Sequence, residues 1–323
     1  MRILITGASG FVGQALARHL EAQGFEVRRA VRALSEKPAA GQTNSIAVGE
    51  VGPDTDWQPA LDGVDVVVHL AARAHVMDDR TGSSLNDYRR INVEGTRRLA
   101  RIAAQSQVKR IVFLSSIKVN GESTKRPFTD RDVPSPKDDY AISKWEAEQA
   151  LMQESQGSAM QWVALRAPLL YGPDVRANFL RLMHAVVSEK LLPFAAIRNR
   201  RSLMFLGNLT DCIARCLTHA ACADRVFLLS DGEDLSTPEL VRKLASALDV
   251  RANMIPIPAL LLRIAGTLAG KGGAITRLAG SLQVDSSPIC KTLDWSPPYS
   301  VEEGIAQTAR WFRSVSQTAE KPG

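Results

Sequence analysis

The first thirteen residues, Met1-Arg-Ile-Leu-Ile-Thr-Gly-Ala-Ser-Gly-Phe-Val-Gly13, constrain this chain more than any other stretch. The apolar run Ile3 to Ile5 breaks at Gly7, so it reads as a buried first strand that begins at residue 2, leaves no room for a leader, and feeds a tight turn. Gly7 permits the turn, Gly10 lets backbone approach a pyrophosphate, and Gly13 lets a helix from Phe11 to Gln23 pack on the strand. Phosphates then lie near the helix N-terminus, beside Phe11 and Val12, where unpaired N–H groups point outward. The spacing G-x-x-G-x-x-G departs from the commoner G-x-G-x-x-G, yet the strand–turn–helix context favours a dinucleotide.

With 323 residues, 45% of them apolar, the chain exceeds what one core usually organises, so a large lobe with a smaller one is expected. A net charge of +6 suits an anionic small molecule. The basic residues are scattered (Arg28, Arg29, Arg32; Arg97, Arg98, Arg101; Arg198, Arg200, Arg201) with no interleaved aromatics for base stacking, which argues against nucleic acid. Four cysteines, three of them at Cys212, Cys216 and Cys222, do not make a disulfide framework, and the cytosol is the expected compartment. Cys212, Cys216 and His219 share a helical face, but without a second ligand pair they read as core and no metal is expected. Pro258 to Leu282 is interrupted by Arg263, Lys271, Gly272, Gly273 and Arg277; it fails as a membrane span and reads as two packed helices of the smaller lobe, with loose membrane contact as a minor alternative. A tail is expected from about Ser316.

Strands are expected at Phe25–Arg32, Ser45–Val51 and Val64–Ala72, followed by a loop from His75 to Ser84 and a helix from Leu85 to about Gln105 carrying Asn92. The end of the second strand should meet the adenosine ribose, where a carboxylate would grip the 2′-hydroxyl of NAD. Ala30, Val31 and Arg32 stand there instead. With no carboxylate to repel a 2′-phosphate and Arg32 to pair with it, NADP(H) is favoured, with NAD(H) as the alternative. His69 lies inside an apolar run and reads as a satisfied core histidine.

The strand Lys109–Ser116 ends in two hydroxyls at the carboxyl edge, where open parallel sheets bind ligands. From Tyr140 to about Glu154 the pattern is helical, placing Tyr140 and Lys144 one turn apart on the same face. An ammonium that close favours the phenolate, so the tyrosine pKa is expected well below its usual value of about 10. Together with the glycine turn and Ser116, this is a proton-transfer set beside a hydride carrier.

The segments Thr6-Gly-Ala-Ser-Gly-Phe-Val-Gly13, His69-Leu-Ala-Ala72, Asn92-Val-Glu-Gly-Thr96, Leu114-Ser-Ser116 and Tyr140-Ala-Ile-Ser-Lys144 resemble the extended short-chain dehydrogenase/reductases that act on nucleotide sugars, in the branch related to UDP-glucose 4-epimerase. The likeness runs from Met1 to about Phe312. Within that branch, Ser115-Ser-Ile-Lys-Val-Asn-Gly121 and Arg198-Asn-Arg-Arg-Ser202 look like the 4-keto-6-deoxy-HexNAc reductases of bacterial O-antigen assembly. The resemblance implies a doubly wound α/β Rossmann sheet over residues 1–167 plus about 203–230, a smaller α/β substrate lobe over 168–202 plus 231–315, and a tail at 316–323. It implies Ser116, Tyr140, Lys144 and supporting Asn92 as the catalytic set. Gly7, Gly10, Phe11, Val12, Gly13, Arg32, Leu70, Ala71, Ala72, Tyr140 and Lys144 would hold the cofactor. Ser116, Asn178 and Arg201 would hold a UDP-sugar, with Lys118 added as a substrate contact or, alternatively, a solvent-facing lysine. A homodimer is expected.

The activity expected from this is reduction of a UDP-4-keto-6-deoxy-N-acetylhexosamine at C4, with NAD-dependent UDP-sugar 4-epimerisation as the alternative and a non-catalytic NADP-sensing regulator as the third reading. Lys118 and Asn120 depart from the small residue and tyrosine usual in the epimerases. A 4,6-dehydratase is disfavoured because Ile117 and Lys118 replace the Asp-Glu pair that such chemistry needs.

Overall fold

A computed structural model describes residues 1–34, 44–74, 84–268 and 278–319. Its larger sheet comprises β1 (Arg2–Thr6), β2 (Glu26–Val31), β3 (Ser45–Ala47), β4 (Val66–His69), β5 (Arg110–Ser116), β6 (Gln161–Ala167) and β9 (Arg225–Leu228). All pairs are parallel, in the order β3-β2-β1-β4-β5-β6-β9. The order reverses at β1/β4, the switch point where a doubly wound sheet opens a crevice at its carboxyl edge.

The central strands are apolar throughout because helices cover both faces. On one side α1 (Phe11–Ala22) and α7 (Leu206–Cys216) bury Leu16, Leu20, Leu209 and Ile213 against Ile3, Ile5, Val68 and Val112. On the other, α4 (Gly95–Ala104) and α5 (Asp139–Ser155) bury Leu99, Ala103, Ala147 and Leu151 against Leu4, Val67, Ile111 and Phe113.

A second sheet has β8 (Arg201–Phe205) at its centre, parallel to β7 (Leu169–Tyr171) and antiparallel to β10 (Asp234–Leu235). The chain thus rejoins the large sheet through α7 and β9, after β8. Helices α6 (Ala177–Val187), α8 (Thr237–Leu248) and α11 (Val301–Ala319) pack on this sheet through Phe179, Met183, Leu244 and Ile305. The Asp231 carboxylate staples the two regions, accepting from Tyr171 Oη (2.9 Å), Asn208 Nδ2 (2.8 Å) and the Phe205 amide (2.9 Å).

Several expectations change in detail. The helix expected over 85–105 is α3 (Leu85–Tyr88), a π-helical stretch Arg89–Glu94 and α4; the wide turn carries Asn92. Helix α11 continues to Ala319, into the expected tail. Cys212 and Cys216 are core, whereas His219 lies beyond the end of α7 and is exposed, so the three do not share a face. Of the two helices expected over 258–282, α9 (Ala259–Leu268) is present with Leu260, Leu261 and Ile264 exposed; 269–277 lies outside the described residues, as does the expected loop at 75–83. Among the described residues no helix is long and apolar enough to cross a membrane.

Candidate active site

The crevice at the switch point has a volume of about 610 Å³ and is walled by the β1–α1 turn (Gly7, Ser9, Gly10), the end of β2 (Ala30 to Arg32) and the segment after β4 (Leu70 to Ala72). Gly7 adopts φ +65°, and a Cβ there would lie 2.8 Å from the Ala71 amide nitrogen. The turn is therefore open to glycine only. Gly13 is buried against the same turn: its missing Cβ would sit 2.3 Å from the Gly7 carbonyl oxygen. Gly13→Ala should push α1 off the strand and lower dinucleotide affinity at least tenfold, checked by titration calorimetry; unchanged affinity would mean the turn can shift without cost.

The walls fit a dinucleotide. Glycine backbone replaces side chains where a pyrophosphate would approach, and the Trp57 indole N–H, buried on the crevice wall, has no partner among the described residues. Arg32 is exposed and lines the crevice as expected. Glu50, in the loop after β3, lines it too and was not foreseen; it pairs with Arg90 at 3.3 Å and gives this wall the carboxylate that the end of β2 lacks. Phe11 faces a neighbouring pocket with Asp174 and Trp311, Val12 packs on the core, and Gly13 acts through packing; these three do not line the crevice.

Beneath the crevice a chain of hydrogen bonds fixes protons. Thr6 Oγ1 accepts from the amides of Leu70 and Ala71 (both 3.1 Å), so its own proton goes to His69 Nδ1 at 2.6 Å. His69 is then the Nε2–H tautomer, donating to Thr96 Oγ1 (3.0 Å), which donates to the Asn92 carbonyl (2.6 Å). Burial, aided by the Lys144 charge, pushes the His69 pKa down to about 3, so the ring stays neutral and acts as a spacer. Asn92 itself clamps the chain after β4: its Oδ1 accepts from the Arg73 amide (2.7 Å) while Nδ2 donates to the Arg73 carbonyl (3.1 Å) and Ser143 Oγ (2.9 Å).

Ser116 ends β5, and α5 packs against that strand with Tyr140 in its first turn and buried Lys144 one turn on. Lys144 Nζ lies 4.0 Å from the centroid of Phe113 on β5, and the Tyr140 ring meets Tyr88 edge-on at 6.4 Å. The electrostatics differ from the expected simple depression of the phenol. Burial, then the Asp138 carboxylate and Tyr88, push the Tyr140 pKa up to about 12, while burial brings Lys144 down to about 7 against the pull of Glu148. An ammonium held at about 7 carries only part of its charge at neutral pH, so by itself it stabilises the phenolate only in part. Further positive charge has to enter the site for Tyr140 to ionise near neutrality.

Behind Lys144 lies a buried network that residue spacing did not bring out. Glu148, fully buried on α5, takes Arg166 of β6 bidentately (3.0 and 2.6 Å) and a short hydrogen bond from Ser115 Oγ. Arg166 also donates to Asn120 Oδ1 at 3.0 Å. The available signals were an arginine within the apolar strand Gln161–Ala167 and a glutamate one turn after Lys144.

Of the residues assigned to substrate, Asn178 is exposed on the first turn of α6. Arg201 is half-buried and donates to the Gly280 carbonyl at 2.9 Å. Lys118 is neither free nor solvent-facing: its ammonium pairs with Asp138 and approaches Glu122 at 3.5 Å. Ser116, Tyr140, Lys144 and Asn92 are brought into one neighbourhood by β5, α5 and the π-helical turn, whereas Asn178 and Arg201 stand on elements of the smaller sheet region.

Comparison with known proteins agrees with this geometry. The chain is 45% identical over 314 residues to a UDP-glucose 4-epimerase of Vibrio cholerae, covering 96% of this chain and 95% of the relative. It is 26% identical over 324 residues to the N-acetyl-alpha-D-glucosaminyl-diphospho-ditrans,octacis-undecaprenol 4-epimerase of Escherichia coli O157:H7, covering 96% and 94%. The fold matches the crystal structure of UDP-glucuronic acid 4-epimerase from Bacillus cereus in complex with NAD, with a TM-score of 0.78 at 20% identity over 98% of this chain and 99% of the other. With residues 3–228 matching the family as a whole, the chain belongs to the NAD dependent epimerase/dehydratase family and is an NAD-dependent enzyme of the short-chain dehydrogenase/reductase class.

Proposed function

We propose that this enzyme works at C4 of a UDP-linked hexose and that its reaction is NAD-dependent 4-epimerisation. What supports the reading is Ser116 at the end of β5, with Tyr140 and Lys144 one turn apart on the helix that packs against that strand, in a chain 45% identical to a UDP-glucose 4-epimerase. Gly7, Gly10, Arg32 and Leu70 to Ala72 would hold the dinucleotide, which when bound would supply a reversible hydride acceptor for C4. Tyr140 takes the O4 proton and gives it back, Ser116 hydrogen-bonds that oxygen, and Lys144 supplies positive charge next to the phenol. The Glu50 carboxylate, which lines the same crevice as Arg32, supports NAD over NADP. Asn178 and Arg201 would hold the nucleotide diphosphate on the smaller lobe, residues 168–202 plus 231–315, with the sugar between the lobes. A homodimer belongs to the same proposal.

A second reading, NAD(P)H-dependent reduction of a UDP-4-keto-6-deoxy-N-acetylhexosamine, is favoured by two observations: Arg32 on the crevice wall, and Lys118 with Asn120 in place of the residues usual in the epimerases. One experiment separates them. Purified protein is given UDP-glucose, or UDP-GlcNAc, with NAD and followed by proton NMR, and in parallel the 4-keto sugar with NADPH or NADH followed by absorbance. The C4 epimer should accumulate to equilibrium without net cofactor consumption. Stoichiometric oxidation of the reduced cofactor on the keto sugar, with neither UDP-sugar epimerised, would replace the first reading by the second.

A further inference from the structure

Lys118 holds a position for which the family comparison supplies no role, and its contacts are specific. Its backbone N–H donates to Ser116 Oγ at 3.3 Å, tying it to the strand end. Its ammonium pairs with Asp138 Oδ2, while Asp138 Oδ1 accepts from the Ala141 amide at 2.7 Å as the N-cap of α5. Both side chains are about four-fifths buried, at 22% and 23% exposure, so water screens the pair only in part. One lysine therefore joins the end of β5 that carries Ser116 to the first turn of the helix that carries Tyr140.

We propose that Lys118 is a positioning residue for the Tyr140–Ser116 pair, holding the N-terminus of α5 against the end of β5 and cancelling the Asp138 carboxylate that would otherwise face the phenol. The inference rests on the proposed catalytic role of Tyr140. Among the described residues, the charged and titratable groups that face this region are Asp138, Asp139 and Lys144 on its own helix, Tyr88 of α3 with the Arg73 guanidinium 5.8 Å from the Tyr88 ring, and Lys118 with Glu122 from the segment after β5. Asp138 is the carboxylate among them that drives the phenol upward, which is the charge Lys118 sits on. An unscreened negative charge this near makes ionisation of a phenol harder, and a cation on that charge offsets part of the effect. In this reading Lys118 serves the reaction from behind the tyrosine without touching the sugar.

The test reads the phenol directly and needs no sugar. In enzyme loaded with oxidised cofactor, whose positive ring favours phenolate, the tyrosinate absorbance of Tyr140 is titrated against pH with Tyr140→Phe as the blank. Lys118→Met should move the midpoint upward by about one pH unit or more. Lys118→Arg, which keeps the cation, should restore it, and adding Asp138→Asn to Lys118→Met should bring it back, because asparagine still caps the helix. The alkaline-shifted limb should also appear in the pH profile of kcat/KM on whichever sugar nucleotide the enzyme turns over. An unmoved midpoint in folded Lys118→Met, with only KM for the sugar nucleotide raised, would overturn the proposal and make Lys118 a substrate contact. If no sugar nucleotide is turned over at all, the proposed function fails while the titration still decides the role of Lys118.

Discussion

Tyr140→Phe should lower kcat by about a hundredfold to ten-thousandfold, the range that positioned proton transfer contributes, while dinucleotide affinity stays within about twofold. In the proposed reaction the phenol carries the proton to and from the substrate oxygen, and the buried imidazole of His69 is closed off from that role. His69 is pushed down to about 3 and both of its ring nitrogens are engaged, by Thr6 and Thr96. Removing the hydroxyl leaves the ring contact with Tyr88 available, so the fold should tolerate the change. Steady-state rates with calorimetric cofactor binding check this. A variant retaining near-normal kcat would show that the proton leaves by another route.

Arg166→Met should be among the most destabilising single changes in the chain. It strands the Glu148 carboxylate, which is fully buried, with Ser115 and the more distant Lys144 as its remaining polar company. Breaking a buried pair by removing one partner typically costs about 3–5 kcal/mol, a large share of what a domain possesses. Replacing both partners by apolar groups of like size is far milder, so Glu148→Leu combined with Arg166→Met should recover most of the loss. Urea denaturation of the two variants gives the comparison. If the single and double variants lost equal stability, the pair would be contributing through shape and not through charge. Because Glu148 is also what draws the Lys144 pKa upward, the double variant, although better folded, should bind its cofactor with altered pH dependence.

The elements were legible wherever one signal dominated. The glycine turn announced β1 and α1 because φ +65° at Gly7 and the 2.3 Å approach at Gly13 admit no other residue. The parallel core strands announced themselves as apolar runs because both faces are covered. Tyr140 and Lys144 fell on one face of a helix by simple periodicity. What remained hidden depends on partners distant in sequence. No spacing rule links Lys118 to Asp138 or Ser115 to Glu148, since each pair joins β5 or its end to α5 across the sheet–helix interface. The rise of the Tyr140 pKa was hidden for the same reason: periodicity gives proximity to Lys144 but not burial, and burial is the larger cause. Glu50 escaped notice because it reaches the crevice from the loop after β3, outside any motif.

The π-helical stretch from Arg89 to Glu94 has a bearing on how this region tolerates changes in length. A wide turn holds one more residue than an α-turn over nearly the same rise, so the extra residue is taken up with little change of helix phase or length on its two sides. Deleting one residue between Arg89 and Glu94 would let the segment relax to regular α-helix, with Leu99, Ile102 and Ala103 keeping their places in the core and Thr96 still meeting His69. What would be lost is the bulge that carries Asn92, and with it the clamp on Arg73. The extra residue thus serves the Asn92 arm alone, and a one-residue deletion here should cost the clamp while sparing the fold.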